Sequence, residues 1–192
     1  MKRYILIITL TLLTLTLAAC GSGDLENTLD FEVGNLQATT SEGESFAVED
    51  MEGKVWLADF IFTSCDTVCP PMTRNMTLLQ EQLKEEELDV EIVSFSVDPT
   101  VDTPEKLKEF GDKYGVDYSN WHFVTEYTQE EIEAFAQDSF KALVQKTEGN
   151  DQVVHVNSFF LVGPDGTVLK KYRGDTDVPY DQIVEDVKTV TP

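Results

Sequence analysis

Lys54-Val55-Trp56-Leu57-Ala58-Asp59-Phe60-Ile61-Phe62 runs straight into Thr63-Ser64-Cys65-Asp66-Thr67-Val68-Cys69-Pro70-Pro71-Met72. The first half is nearly continuous in apolar residues, the pattern of a strand buried on both faces. The second half changes character. Proline suits the first turn of a helix, and Met72, Met76, Leu79 and Leu83 then recur at helical spacing, so a helix starts near Pro70. Cys65 and Cys69 therefore sit where a buried strand hands over to a helix, and open α/β sheets place their sites at such strand ends. Three residues separate the two cysteines, one more than in a Cys-x-x-Cys redox pair.

Outward from this junction the chain alternates. Upstream, Phe31 to Phe46 reads as a hairpin of weak strands around Ser41-Glu42-Gly43-Glu44. Downstream, Val90 to Val97 is a second buried strand. Thr103-Pro104 offers a helix N-cap with proline behind it, followed by Leu107, Phe110 and Tyr114 on one face. Trp121 to Val124 reads as a short strand, and Thr128-x-x-Glu131 is a capping box ahead of Ile132, Phe135, Ala136 and Phe140. Ser158 to Val162 and Thr167 to Tyr172 flank the turn Gly163-Pro164-Asp165-Gly166, and a last helix spans about Tyr180 to Val187. This order predicts an α/β domain, with a central mixed β-sheet flanked by helices and an N-terminal β-hairpin extension, in a thioredoxin-like layout.

The composition fits one globular domain: 192 residues, 41% hydrophobic, with eleven Phe. Acidic residues outnumber basic ones 36 to 14, a net charge of −22. Such a surface repels nucleic acid and anionic lipid and attracts cations or a basic partner. The N-terminus has its own signature. Lys2-Arg3, the apolar run to Ala19 and Leu17-Ala18-Ala19-Cys20 form a secretory signal ending in a lipobox. Residues 1–19 are expected to be a lipoprotein signal peptide. Cys20 would carry lipid, residues 20–30 would form a flexible tether, and residues 31–192 would form the domain. The expected location is the extracytoplasmic face of a bacterial cell membrane.

Lipidation of Cys20 leaves Cys65 and Cys69 as a pair in an oxidising compartment. A disulfide between them would close too short a loop to remove much chain entropy, so stapling explains the pair poorly. Chemistry explains it better. Two thiolates are soft donors suited to Cu(I), Zn or an iron–sulfur cluster, and no further cysteine is available for a Cys₄ site. A helix start at Cys69 would favour its thiolate. The two histidines differ in setting: His122 lies in an aromatic strand and reads as a packing residue. His155, just before Ser158-Phe159-Phe160-Leu161, is by spacing alone either a surface histidine or a third ligand.

The combination of Cys-x-x-x-Cys-Pro after a buried strand, Ser-Val-Asp-Pro (Ser96 to Pro99) with Asp-Thr-Pro (Asp102 to Pro104), and a histidine ahead of Ser-Phe-Phe-Leu-Val-Gly-Pro-Asp-Gly resembles the SCO/SenC family. These proteins serve assembly of the copper A centre of cytochrome c oxidase, and the resemblance extends over about residues 31 to 189. It implies one copper ion per chain, Cu(I) or Cu(II), held by Cys65, Cys69 and His155. It also implies a partner, the oxidase subunit carrying copper A.

Two acids invite roles around such a site. Asp59, six residues before Cys65, stands where thioredoxins carry a buried acid that handles protons for a dithiol; burial would leave it protonated or paired. Asp98 ends the strand Val90 to Val97 and reads as an outer contact of the metal, a weak fourth ligand or a plain Asp-Pro turn. Met72 and Met76 have core spacing rather than ligand spacing. The rival function is a thiol–disulfide oxidoreductase that reduces the oxidase's copper-ligand cysteines through Cys65 and Cys69, served by a thiol reductant partner. A redox or copper sensor is a further alternative. A peroxiredoxin-like peroxidase fits less well, because Phe62 stands where that family places a threonine.

Overall fold

In a computed structural model of the chain, residues 25–147, 149 and 152–191 are described; the signal segment and Cys20 lie outside them. An eight-stranded sheet is ordered β1 (Phe31–Glu32), β10 (Thr167–Arg173), β9 (Ser158–Val162), β4 (Val55–Ile61), β5 (Val90–Ser96), β6 (Trp121–Thr125), β2 (Gln37–Thr40), β3 (Ser45–Ala47). β4, β5 and β6 run parallel, and the outer pairings are antiparallel. Among the described residues four α-helices, α1 (Cys69–Glu85), α2 (Pro104–Tyr114), α3 (Gln129–Phe140) and α4 (Tyr180–Val190), and a 3₁₀ turn (Val48–Met51) accompany the strands.

All seven residues of β4 are buried, as its apolar run requires. Period-two alternation sends its side chains to two different environments. Trp56 and Phe60 meet Phe95, Phe160 and, from α3, Phe140 in an aromatic cluster with ring centroids 5.1–6.4 Å apart. Asp59 faces the other way, opposite Ser94 in the β4–β5 register, on the side where α1 begins with Cys69. α1 buries Met72, Met76, Leu79 and Leu83 as one stripe, so both methionines are core residues.

The helix-start signals are realised. Thr103 accepts from the Lys106 N–H, and Gly115 closes α2 in the left-handed region at φ 72°. Thr128 and Glu131 form the capping box of α3, with Glu131 N–H donating to Thr128 Oγ1 at 3.2 Å and Thr128 N–H to Glu131 Oε2 at 2.7 Å. Thr128→Ala is expected to lower stability by about 1 kcal/mol, read as a small fall in the urea midpoint at unchanged slope.

Three features differ from the sequence reading. The N-terminal hairpin is narrower, β2 and β3 alone, and it attaches to β6; Phe31 and Glu32 cross to the opposite edge and pair with Val168 and Thr167 of β10. Contacts with the domain also begin before residue 31. Leu25 and Leu29 pack on the core, Leu29 N–H donates to Leu169 O at 3.0 Å, and Lys170 Nζ donates to the Glu26 carbonyl, so the expected tether is partly fastened to β10. Finally, β7 (Gln145–Lys146) and β8 (Val153–Val154) form a separate two-stranded arm that the sequence did not announce. Among the described residues no helix is long and apolar enough to cross a membrane.

Candidate metal centre

The strand–loop–helix junction builds the centre. After β4 ends, Phe62 O accepts from the Cys65 N–H at 3.2 Å, and α1 starts four residues later. The first helical N–H groups normally lack partners. Pro70 and Pro71 have none to offer, and Met72 N–H already reaches Val68 O at 3.1 Å. The remaining donor, Cys69 N–H, points at Cys65 Sγ, 3.3 Å away.

This reverses the expected polarity of the pair. The sequence placed the favoured thiolate on Cys69, because that residue opens the helix. The helix N-terminus instead serves Cys65: the Cys69 thiol beside it holds its pKa well down, with further help from the Cys69 and Thr67 N–H groups, against burial. Cys69 itself is fully buried, and burial together with the neighbouring Cys65 charge pushes its thiol far upward. Both thiols are free.

His155 follows β8 and brings Nε2 to 3.4 Å from Cys69 Sγ. Its Nδ1 lies 2.9 Å from Val156 O. A carbonyl can only accept, so Nδ1 carries the proton and Nε2 presents its lone pair to the sulfurs, the tautomer a metal ligand needs. The Phe62 ring, edge-to-face at 5.5 Å, walls the imidazole. Cys65, Cys69 and His155 donor atoms all lie within 4.8 Å of one another. Donors about 2.3 Å from a shared ion stand about 4 Å apart when three surround it, so the trio fits a metal as it stands. S₂N chemistry suits copper and disfavours calcium or magnesium.

The other acids take different places. Asp59 is completely buried; its Oδ1 accepts from Ser94 Oγ at 2.6 Å, and Ser94 Oγ in turn accepts from Trp121 Nε1 at 2.9 Å. Its Oδ2 has no hydrogen-bond partner, and burial raises its pKa to about 7. Asp98 is absent from the donor cluster. Its carboxylate pairs with Lys146 and accepts from Thr100 Oγ1 at 2.8 Å, while its carbonyl closes the expected turn with Val101 and Asp102. His122 likewise stands apart, paired with Glu91 at 3.0 Å and packed on Phe46.

Sequence reasoning missed Asp102. Its carboxylate accepts from Thr63 N–H at 3.1 Å, Thr63 Oγ1 at 2.5 Å and Ser96 Oγ at 2.7 Å, which fixes the chain two residues before Cys65 to the end of β5. Burial raises its pKa. The signal was present as the second acid of Ser96-Val97-Asp98-Pro99-Thr100-Val101-Asp102, but its partner lies 39 residues away.

Comparison with known proteins agrees with this geometry. Residues 27–191 match the SCO1/SenC family. A SCO1 protein homolog of Bacillus subtilis (strain 168) is 51% identical over 184 residues, covering 96% of this chain and 95% of its own. The structure of BsSco, described as a member of the Sco family of cytochrome c oxidase assembly proteins with a disulfide switch, superposes with a TM-score of 0.81 at 52% identity, over 88% of this chain and 98% of that one. Arabidopsis thaliana ScoI with copper bound gives a TM-score of 0.68 at 25% identity, over 82% of this chain and 96% of that one. A thioredoxin-like sheet, a convergent Cys-Cys-His trio and a family match over nearly the whole domain lead to one conclusion: the chain belongs to the SCO1/SenC family.

Proposed function

We propose that this protein is a membrane-tethered copper-binding factor that helps metallate the copper A centre of cytochrome c oxidase. Its cargo is one copper ion per chain, held by Cys65, Cys69 and His155. The observation that carries the reading is the convergence of two sulfurs and an imidazole nitrogen within 4.8 Å, with the imidazole's other nitrogen 2.9 Å from the Val156 carbonyl. The copper-bound Arabidopsis relative and the oxidase-assembly role ascribed to BsSco support extending it to this chain. The lipobox ending at Cys20 supports a lipid anchor on the extracytoplasmic face, and the oxidase subunit that carries copper A is the proposed recipient. Titrating Cu(II) into the reduced protein is expected to give one tightly held equivalent with a thiolate-to-copper charge-transfer band. Rapid oxidation of the pair with copper released would transfer the assignment to the second reading.

That second reading is a thiol–disulfide oxidoreductase, favoured by the opposed states of the two sulfurs. The Cys65 thiolate attacks a partner disulfide and releases one partner thiolate, leaving a mixed disulfide. Cys69, once deprotonated, attacks Cys65 Sγ, releases the second partner thiolate and closes the intramolecular disulfide. Asp59, which interacts electrostatically with Cys69 and has a pKa of about 7, is the proposed acceptor of the Cys69 proton, and an external thiol reductant restores the pair.

A further inference from the structure

His155 is the one donor of the trio that does not come from the strand–loop–helix junction. It is carried by the arm β7–β8, which shares no ladder with the eight-stranded sheet. Two residues of β7 pairing with two of β8 cannot fix an arm by backbone bonds alone, so its position depends on side-chain anchors.

Val144 and Val153 bury their side chains in the core, and Lys146 supplies the polar anchors. In the arm's register it pairs with Val153, two residues before His155. Its N–H donates to Glu133 Oε1 of α3 at 2.9 Å, and its Nζ pairs with Asp98 and donates to Thr100 Oγ1 at 2.8 Å. The Asp98 side chain is only 2% exposed, against 23% for Lys146. A carboxylate that deeply enclosed tolerates its charge only with a cation in contact. The carboxylate belongs to the sheet end and the cation to the arm, so satisfying the charge holds the arm down. Beside Val153, Gln152 Nε2 reaches Ser64 O at 3.3 Å, a bond to the cysteine loop.

We propose that Lys146 is a positioning residue for the third ligand: its ion pair with Asp98 latches the arm so that His155 Nε2 faces Cys69 Sγ, and releasing it withdraws the imidazole without disturbing the two sulfurs. Asp98 thus acts on the site through the arm and not as a fourth ligand. The inference deepens the copper reading, because a site whose nitrogen donor sits on a latch can change its preference between Cu(II), which favours imidazole, and Cu(I), which two thiolates satisfy.

The test uses the full reduced chain in detergent micelles, with Lys146→Met, Lys146→Arg and Asp98→Asn each made alone and with His155→Ala. Cu(II) affinity is read by competition with glycine, and Cu(I) affinity by competition with a chromophoric chelator. Lys146→Met is expected to weaken Cu(II) about tenfold, Lys146→Arg to recover most of the loss, and Cu(I) affinity to stay within about twofold. In the His155→Ala background Lys146→Met is expected to add nothing. Equal weakening in both backgrounds would mean a general structural role and overturn the latch. Near-UV circular dichroism checks folding, and Asp98→Asn, which keeps the side-chain shape, takes the place of Lys146→Met if that variant does not fold. The metal-free histidine-ring NMR signals separate the latch from the copper reading: His155 resonances are expected to shift or broaden in Lys146→Met. Unchanged ring signals overturn the latch whatever the metal does, whereas wild-type protein that binds no copper overturns only the copper reading.

Discussion

His155→Ala is expected to weaken Cu(II) binding by more than about 100-fold while leaving the fold intact. Loss of a partner behind a metal-bound histidine costs roughly 10–100-fold, and here the proposed ligand itself is removed. Its Nε2 is aimed at Cys69 Sγ at 3.4 Å and its Nδ1–H is tied to Val156 O, so no neighbouring group takes its place by a small rotation. His122, engaged with Glu91, is no substitute. The side chain is only half-buried and its main packing partner is the edge of Phe62, so the thermal midpoint should move little. A Cu(II) competition titration beside a melting curve decides the matter. Full retention of affinity would place the third donor elsewhere.

The second large effect is electrostatic and depends on pH. Folding raises the Asp59 pKa from 3.8 to about 7, chiefly through burial. The native state therefore favours the protonated carboxyl, and this contribution is complete below about pH 4 and lost as pH rises through 7. Asparagine has no such proton to lose. Asp59→Asn and wild type should thus be similar near pH 4, diverge between pH 4 and 7, and differ at pH 8 on the order of 4 kcal/mol in favour of the variant. Asp117 and Asp175 work in the opposite sense, held down at about 2 by Lys84 and Arg173, and lose their contribution in acid; both proteins contain them, so the difference curve cancels them. Urea unfolding of the reduced, metal-free proteins at pH 4.5, 6 and 8 measures the curve. Equal stability at pH 8 would mean that Asp59 is ionised at no cost, contrary to its partnerless Oδ2.

What the sequence displayed openly were the features with short range. The unbroken apolar run of β4, the helical recurrence from Met72 to Leu83, and the caps at Thr103 and Thr128 are each written within one or two turns of chain. What it concealed were long-range approaches. Asp102 reaches Thr63 across 39 residues and His155 reaches Cys69 across 86, and no periodicity encodes which segments meet. His155 was put forward as a ligand from resemblance, since spacing alone left it ambiguous. The misplaced thiolate has a different cause. Helix polarity was read correctly, but which sulfur receives the helix N–H depends on how the loop folds back, and Pro70 and Pro71 had removed the competing donors.

The fastening of Leu25 to Leu29 against β10 sets how far the domain can roam. With the lipid we propose on Cys20, the five peptide links from Cys20 to Leu25 set an upper limit of about 18 Å between the anchor and the first fastened residue. Had the fastening begun only at Phe31, that upper limit would be about 38 Å and the volume it bounds roughly tenfold larger. On that proposal, a shorter limit would confine the Cys65–Cys69–His155 cluster to a thin shell over the bilayer, and encounters with a recipient in the same membrane would become a search in two dimensions at high local concentration.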